Sequence, residues 1–414
     1  MKKLILAAAC ATVTGTSFAE TSTTEQRINV LEAELQRLKQ EVSAQKNTNI
    51  QLVQQQQQLN TGSWTDNVDV YGILRLDGAV DFKDTTAARG RTSNQINKVP
   101  FDAAQGKRSD FTIAASRIGM DIKNLAGRED VKAKLEADFW VDNGKGDGKL
   151  RIRHAYVSFD DWLFGQTWSL MSNMETMTES IDYTQFLGVS TTRVPQVRRD
   201  FNFSAADKLQ LALEYASDRS SELPALTAKY IYKNQAVLLM GQGFINEKRA
   251  EVDKRDIDKV SWGVGLGARY KFTPKQSVQA NYYHVKGDQK FVSYTTQGSS
   301  SDGAAMGGDY SVDLNNNSLL LNEFDSLTLG YSHKFNDQWR GNIATSLMKF
   351  EDDRAYAKAN VTNNKQLTDH AINLIYTPRP YVDLGVEYHL GERESFEGKT
   401  ADISRVNLSA QYKF

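Results

Sequence analysis

The sequence predicts an all-β fold: a 16-stranded antiparallel transmembrane β-barrel preceded by an N-terminal α-helical coiled coil. Three observations predict it. From residue 68 to the last residue, strand-length runs alternate apolar and polar side chains, the period-two signature of a sheet with one apolar and one wet face. The connections between those runs are alternately long and tight, as in membrane barrels with short periplasmic turns and long outer loops. The chain also opens with an export signal. With 24% charged residues and a net charge of −1, the 414 residues carry no signature of a nucleic-acid partner. No apolar run reaches the roughly 18 residues of a membrane-spanning helix; a membrane barrel stays open, because its strands average out polar.

Residues 1–19 read as a signal peptide. Met1-Lys2-Lys3 supplies the basic region, 4–13 the apolar run, and Ser17-Phe18-Ala19 the small-x-small cleavage site. Cys10, the only cysteine, raises lipidation as an alternative, but Ala7-Ala8-Ala9 before it lacks the usual Leu or Val three residues back. The mature chain then has no disulfide, which suits a barrel held by its hydrogen-bond ladder.

Residues 20–63 are read as a periplasmic coiled coil and linker. Heptads over 25–59 place Ile28, Leu35, Val42, Asn49 and Gln56 at a, with Leu31, Leu38, Gln45, Leu52 and Leu59 at d. Arg27/Glu32, Glu34/Lys39 and Glu41/Lys46 are opposite-charge pairs at the flanking positions, so an oligomer is expected. The alternative is a single amphipathic helix lying on another surface. The glutamine run 54–58 and Asn60-Thr61-Gly62-Ser63 read as a frayed end and linker.

The barrel domain occupies 64–414. Its strands are read at 68–82, 111–123, 131–141, 150–159, 162–167, 196–203, 209–215, 225–232, 236–246, 258–272, 277–285, 322–335, 339–350, 367–376, 381–390 and 403–414. Tight turns such as Lys233-Asn234-Gln235 and Thr273-Pro274-Lys275-Gln276 use turn-forming residues. The last strand puts Val406, Leu408, Ala410, Tyr412 and Phe414 on one face and ends on an aromatic. An unpaired edge strand of this kind invites aggregation; in a closed barrel its partner is the first strand, 68–82. Aromatics at strand ends (Tyr270/Phe272, Phe335/Trp339, Tyr376/Tyr381, Tyr412/Phe414) stand where interfacial girdles would. A soluble secreted sandwich or β-helix is the alternative. It would not need the long/short alternation and would leave these apolar faces in water.

A barrel of this size can enclose an aqueous channel. The loop 168–195 carries Met171, Met174, Met177, Ile181, Tyr183, Phe186 and Leu187 and is too apolar to stand in solvent. Folded into the lumen it would form a constriction; a subunit contact is the other use. Alternation turns Arg75, Arg117, Arg198 and Arg269 inward, with Lys132, Lys134 and Lys271 as further candidates, where they would read anionic solutes. Glu175, Glu179 and Asp182 on the loop supply the opposing sign. Arg75, Arg117 and Arg198 are expected to set selectivity. Two strands break the alternation: Arg151 and Arg153 share a face with Val157 and Phe159, and Arg199 shares one with Phe201. Arg153 and Arg199 therefore stay open between lumen and outer face.

No catalytic constellation, cofactor or metal site is expected. The five histidines lack metal-ligand spacing and no Gly-x-Ser-x-Gly occurs. His333 and His370 sit on apolar faces and are expected at strand ends near a girdle. Asp256-Ile257-Asp258 and Gly146-Asp147-Gly148 read as solvated loop charge rather than weak calcium sites.

The heptad segment, VDVYGILRLDGAVDF (68–82), SRIGMDIKN (116–124), KLEADFW (134–140), RIRHAYVSF (151–159), WLFGQTWSLMSN (162–173) and the closing YKF together resemble the DcaP-like outer-membrane porin family. The resemblance implies a homotrimer of sixteen-stranded barrels in outer-membrane lipid and lipopolysaccharide, with periplasmic N-terminal helices. It implies passage of small anionic solutes such as dicarboxylates and a route for negatively charged antibiotics. In trimeric porins the loop after the fifth strand folds into the lumen, and 168–195 occupies that place. The expected function is passive diffusion with no covalent step. The rivals are a barrel-anchored tether or adhesin whose coiled coil grips peptidoglycan, and a sugar- or phosphate-specific porin marked by lumen aromatics or a denser lysine lining.

Overall fold

The computed structural model describes residues 29, 32–33, 35–43, 67–82, 96–101, 107–140, 149–183, 185–215, 221–252, 254–292 and 306–414. The expected signal peptide 1–19, Cys10, most of the heptad segment with its linker, and Gly146-Asp147-Gly148 lie outside the described residues. The chain divides into two units, Met1–Trp64 and Thr65–Phe414. In the first, 35–43 is helical, and Leu35, Leu38 and Val42 are each more than half exposed.

The second unit is a closed antiparallel barrel. Its strands are β1 (Val68–Asp81), β2 in two segments (Arg108–Thr112 and Arg117–Ile122), β3 (Lys132–Asp138), β4 (Arg151–Phe159), β5 (Trp162–Trp168), β6 (Arg193–Asn202), β7 (Asp207–Glu214) and β8 (Ala225–Lys233). They continue as β9 (Val237–Val252), β10 (Arg255–Thr273), β11 (Gln276–Lys286), β12 (Glu323–Lys334), β13 (Trp339–Phe350), β14 (Asn364–Arg379), β15 (Val382–Ser395) and β16 (Thr400–Lys413). Each pairs with its neighbours in the chain, and β16 closes on β1 from Ile73↔Lys413 to Asp81↔Arg405. The expected single strand 111–123 is interrupted at 113–116, where Ala114 and Ala115 bury against Trp140, while both segments still pair with β1.

One rim has tight turns whose chemistry is local. Asp160 and Asp161 both take positive φ, 46° and 63°, in the two-residue link from β4 to β5. The Asn234 side-chain oxygen accepts from the amides of Ala236 and Val237, and Asn336 does the same for Gln338 and Trp339. The other rim carries the long loops. The one after β11 holds a turn at Gln289–Phe291 and a hairpin of Tyr310–Asp313 with Ser318–Leu321.

Period two sends alternate side chains out and in. Outward, Leu239, Val264, Leu266, Leu329, Ile343, Ile372 and Leu408 are exposed, an apolar band suited to hydrocarbon. Aromatic pairs border it beside the tight turns: Trp339 stacks on Tyr376 at 4.5 Å and Tyr270 meets Phe272 at 4.9 Å. Among the described residues no helix is long and apolar enough to cross a membrane, which says nothing against crossing by strands.

The largest apolar core lies inside the barrel. Ile96 and Val99 from the first long loop, Met171 and Leu187 from the third, and Phe291 and Val292 from the one after β11 pack on inward-facing Phe244, Tyr283, Phe324, Phe350 and Leu367. The long loops thus fold back over part of the lumen instead of standing away from it.

Candidate functional site

The third long loop, 169–192, runs inside the barrel and is anchored around the wall. Gln242 of β9 donates to the carbonyls of Leu170 (2.6 Å) and Ser172 (2.7 Å), and Tyr283 of β11 donates to that of Met171 at 2.8 Å. Thr176 and Asn281 exchange two hydrogen bonds, and Thr328 of β12 donates to the Leu187 carbonyl at 2.6 Å. Gly188 has φ +72° and lies where a Cβ would strike the Ser326 hydroxyl, so this close approach needs glycine.

Glu387 on β15 is the densest anchor. Its carboxylate accepts from Ser180 Oγ (2.9 Å), the Ile181 amide (3.0 Å) and the Asp182 amide (2.8 Å), and also from Asn373 Nδ2 at 2.8 Å. His389 bridges Glu387 Oε1 (2.7 Å) and Asp369 Oδ1 (3.1 Å), all three side chains being fully buried. Past the closing seam, Tyr183 donates to Asp138 of β3 at 2.7 Å and receives from Arg153 of β4 at 2.7 Å, and burial raises its phenol above the usual range.

The arginines divide into different roles. Arg75 faces inward, pairs with Asp77 at 2.6 Å and donates to the Ile181 carbonyl at 2.5 Å, so it holds the loop. Arg117 faces inward 3.7 Å from Glu136. Arg198 faces inward, is partly exposed and pairs with Asp200 at 2.9 Å. Arg153 is also inside, buried against Glu136, Asp138 and Tyr183. Its position follows from a β-bulge: Glu136↔His154 is followed by Ala137↔Ile152, so Arg153 is the extra residue and the alternation changes phase there. Arg199 is on the outer face; its guanidinium lies 5.1 Å from the Trp162 ring and donates to the Asp160 carbonyl. A lumen place for Arg199 is therefore corrected. Leu163, opposite Arg198, is buried, while Trp162, opposite Arg199, is exposed.

The loop carboxylates also differ. Glu175 and Glu179 are open to the lumen and reach Lys229 (3.1 Å) and Arg340 (2.8 Å) on the wall. Asp182 is buried against Asn407 at 3.2 Å. The expectation that it faces a field across the pore is corrected, because the turn of chain on Glu387 carries it behind the loop. Lys229, Lys208, Arg340 and Glu387 were not singled out from sequence; each is one polar residue on an alternating strand. His333 does lie at a strand end beside Phe335, with rings 4.5 Å apart. His370 instead lies within β14, bonded to Thr345 on the outer face, so the girdle expectation fails for it.

On the tight-turn side of the loop, Arg269, Lys271, Lys275 and Arg340 line a cavity of about 290 Å³ with Glu179, Gln279 and Asn342. Arg269 and Lys271 form no ion pair among the described residues.

Residues 16–414 match the profile of the DcaP outer membrane protein family. The chain is similar to the outer membrane channel DcaP of Acinetobacter baumannii, with 29% identity and a TM-score of 0.74 over 84% of this chain and 97% of that one. It shares its fold with the anion-selective porin of Comamonas acidovorans, at 12% identity and a TM-score of 0.56 over 84% of this chain and 99% of that one. OmpF of Salmonella typhi, solved with daunomycin, aligns at 10% identity and a TM-score of 0.54 over 84% of this chain and 98% of that one. No curated protein matches the chain. A barrel that closes on its own first strand and draws one long loop into its lumen is thus found in a chain that belongs to the DcaP outer membrane protein family, the porin channels of the outer membrane.

Proposed function

We propose that the protein is a passive diffusion channel for small anionic solutes, dicarboxylates and negatively charged antibiotics among them. The observation that carries the reading is the sign of the lumen on the tight-turn side of the loop. There Arg117, Lys132, Lys134, Arg198, Lys208, Lys229, Arg269, Lys271, Arg340 and Lys413 point inward, against Asp121, Glu136, Glu175, Glu179, Asp200 and Asp383. A mouth with excess positive charge between low-dielectric walls concentrates anions. The roles divide: Arg75 and Arg153 hold the loop, while Arg198, Arg269 and Lys271 act on the solute. A sugar pore would need a ladder of free lumen aromatics, whereas inward-facing Phe244, Tyr283, Phe324 and Phe350 are buried in the loop core and half-buried Tyr71 is held by Glu136 and Lys134.

The working unit is a homotrimer whose 20–63 segments join in a periplasmic coiled coil. Exposed Leu35, Leu38 and Val42 support this, since a helix with this seam buries it against partner helices. The test is the reversal potential of the full-length protein in a planar bilayer under a KCl gradient. Chloride preference that weakens in Arg269→Gln/Lys271→Gln supports the reading; potassium preference in the wild type overturns it.

A further inference from the structure

Lys229 projects from β8 into the lumen and is buried there. Its ammonium contacts both oxygens of Glu175, at 3.2 and 3.1 Å, and donates to the Ser172 carbonyl at 2.8 Å. The Glu175 side chain is 43% exposed, so the carboxylate closes the site from the lumen side. Across the register Lys229 stands opposite Gln210 of β7, and Gln210 stands opposite Asp200 of β6, which places Lys208 and Arg198 on the two preceding strands beside it. Both already share one wall carboxylate, Asp200, at 3.8 and 2.9 Å, and Gln210 donates to both of its oxygens. Three cations therefore face two carboxylates, of which only Glu175 is carried by the loop.

We infer that Lys229, with Arg198 and Lys208 behind it, is a carboxylate-binding site in the lumen, and that Glu175 is its tethered occupant, displaced by a passing solute carboxylate. The inference rests on the anion-channel reading above. The occupant itself shows what the site takes: a carboxylate presenting both oxygens to one ammonium. Displacement needs only a side-chain rotation. The backbone on either side is pinned, Ser172 by Gln242 and Thr176 by Asn281, so the loop stays in place when Glu175 swings away. A tethered group competes at an effective concentration in the millimolar range, so a free solute must reach similar levels to displace it. Competition of this strength lets a solute bind and still leave, as conduction requires.

The experiment adds succinate to one side of a bilayer containing the full-length protein and reads the succinate-dependent fall in chloride current. Neutral succinamide serves as the control. Glu175→Gln, whose amide oxygen still accepts from Lys229, should lower the half-effective succinate concentration several-fold. Lys229→Met should abolish the succinate effect and Lys229→Arg should restore it. If Lys229→Met does not fold, Glu175→Gln and Lys229→Arg decide alone. An unchanged or raised half-effective concentration in Glu175→Gln overturns the inference, as does equal action by succinamide. Reversal potentials recorded in the same membranes separate the two levels. A cation-selective wild type sinks the channel reading, whereas anion selectivity with Glu175→Gln behaving as wild type sinks only the site.

Discussion

Asp81 and Arg405 stand opposite each other across the closing seam of the barrel, both side chains almost fully buried, joined by hydrogen bonds of 2.7 and 3.0 Å. Asp81 has a second cation, Arg108, at 3.7 Å. The two partners are thus not equivalent. Removing Arg405 leaves Asp81 with Arg108, whereas removing Asp81 takes this carboxylate from the buried Arg405 and leaves Arg108 with Asp110 at 3.1 Å. Removing one partner of a buried pair leaves an uncompensated buried charge and costs about 3–5 kcal/mol. Asp81→Ala should therefore lower the temperature at which the folded form disappears on unboiled gels, and by more than Arg405→Met does. The paired replacement Asp81→Leu/Arg405→Met should recover most of the loss. Equal effects of the two single changes would show that Arg108 contributes nothing.

The second prediction concerns Glu387, which holds three donors of the third loop in one carboxylate. Glu387→Gln removes the charge and turns an amide nitrogen toward groups that themselves donate. Hydrogen bonds to a charged acceptor are worth about 1.5–3 kcal/mol each. The inter-strand ladder does not depend on them, so the barrel should still fold with nearly wild-type heat resistance. The loop should not stay still: single-channel records are expected to show added flicker and extra conductance levels. A quiet single level in the variant would mean that the contacts at Gln242, Tyr283 and Thr328 fix the loop by themselves.

These residues also mark how far the sequence carries. Strands and their closure were readable because period two separates the two faces, and Val68–Asp81 against Thr400–Lys413 pairs as expected. The third loop was readable from composition alone, since Met171, Ile181, Phe186 and Leu187 have no reason to stand in water. The roles of individual charges were not. The bulge at Arg153 leaves no mark in composition, and it alone decides that Arg153 and His154 both turn inward. Glu387 looks like any wet lumen residue on an alternating strand. Asp182 and Glu175 belong to one irregular loop, where no period tells the buried carboxylate from the open one. The apolar core of the lumen was missed for a related reason: Ile96, Val99 and Phe291 are isolated in polar stretches, and only the folded loops bring them together.

The third prediction is a pH dependence on the long-loop rim. Lys248 on β9 lies 3.2 Å from Asp288 and 2.7 Å from Asp309, with all three side chains buried or nearly so. One ammonium cannot neutralise two carboxylates. Burial, and then the charge of Asp288, push the Asp309 carboxyl up to about 6. Asp309 also accepts from the Gln289 amide at 3.0 Å and immediately precedes the hairpin that starts at Tyr310, so its charge state acts on how that hairpin seats. A carboxyl whose pKa is raised by folding favours the folded arrangement while it is protonated. Its contribution is fully present below the ordinary value near 4 and is lost as pH rises through about 6. The hairpin of Tyr310–Asp313 and Ser318–Leu321 should therefore be held more tightly at pH 5 than at pH 7. Amide hydrogen exchange, corrected for the intrinsic rate at each pH, should show greater protection across it at the lower value. Asp309→Asn, neutral at both, should flatten the difference and keep the hairpin protected at pH 7. Protection that rises from pH 5 to pH 7 in the wild type would mean that the ion pair with Lys248 outweighs the repulsion from Asp288.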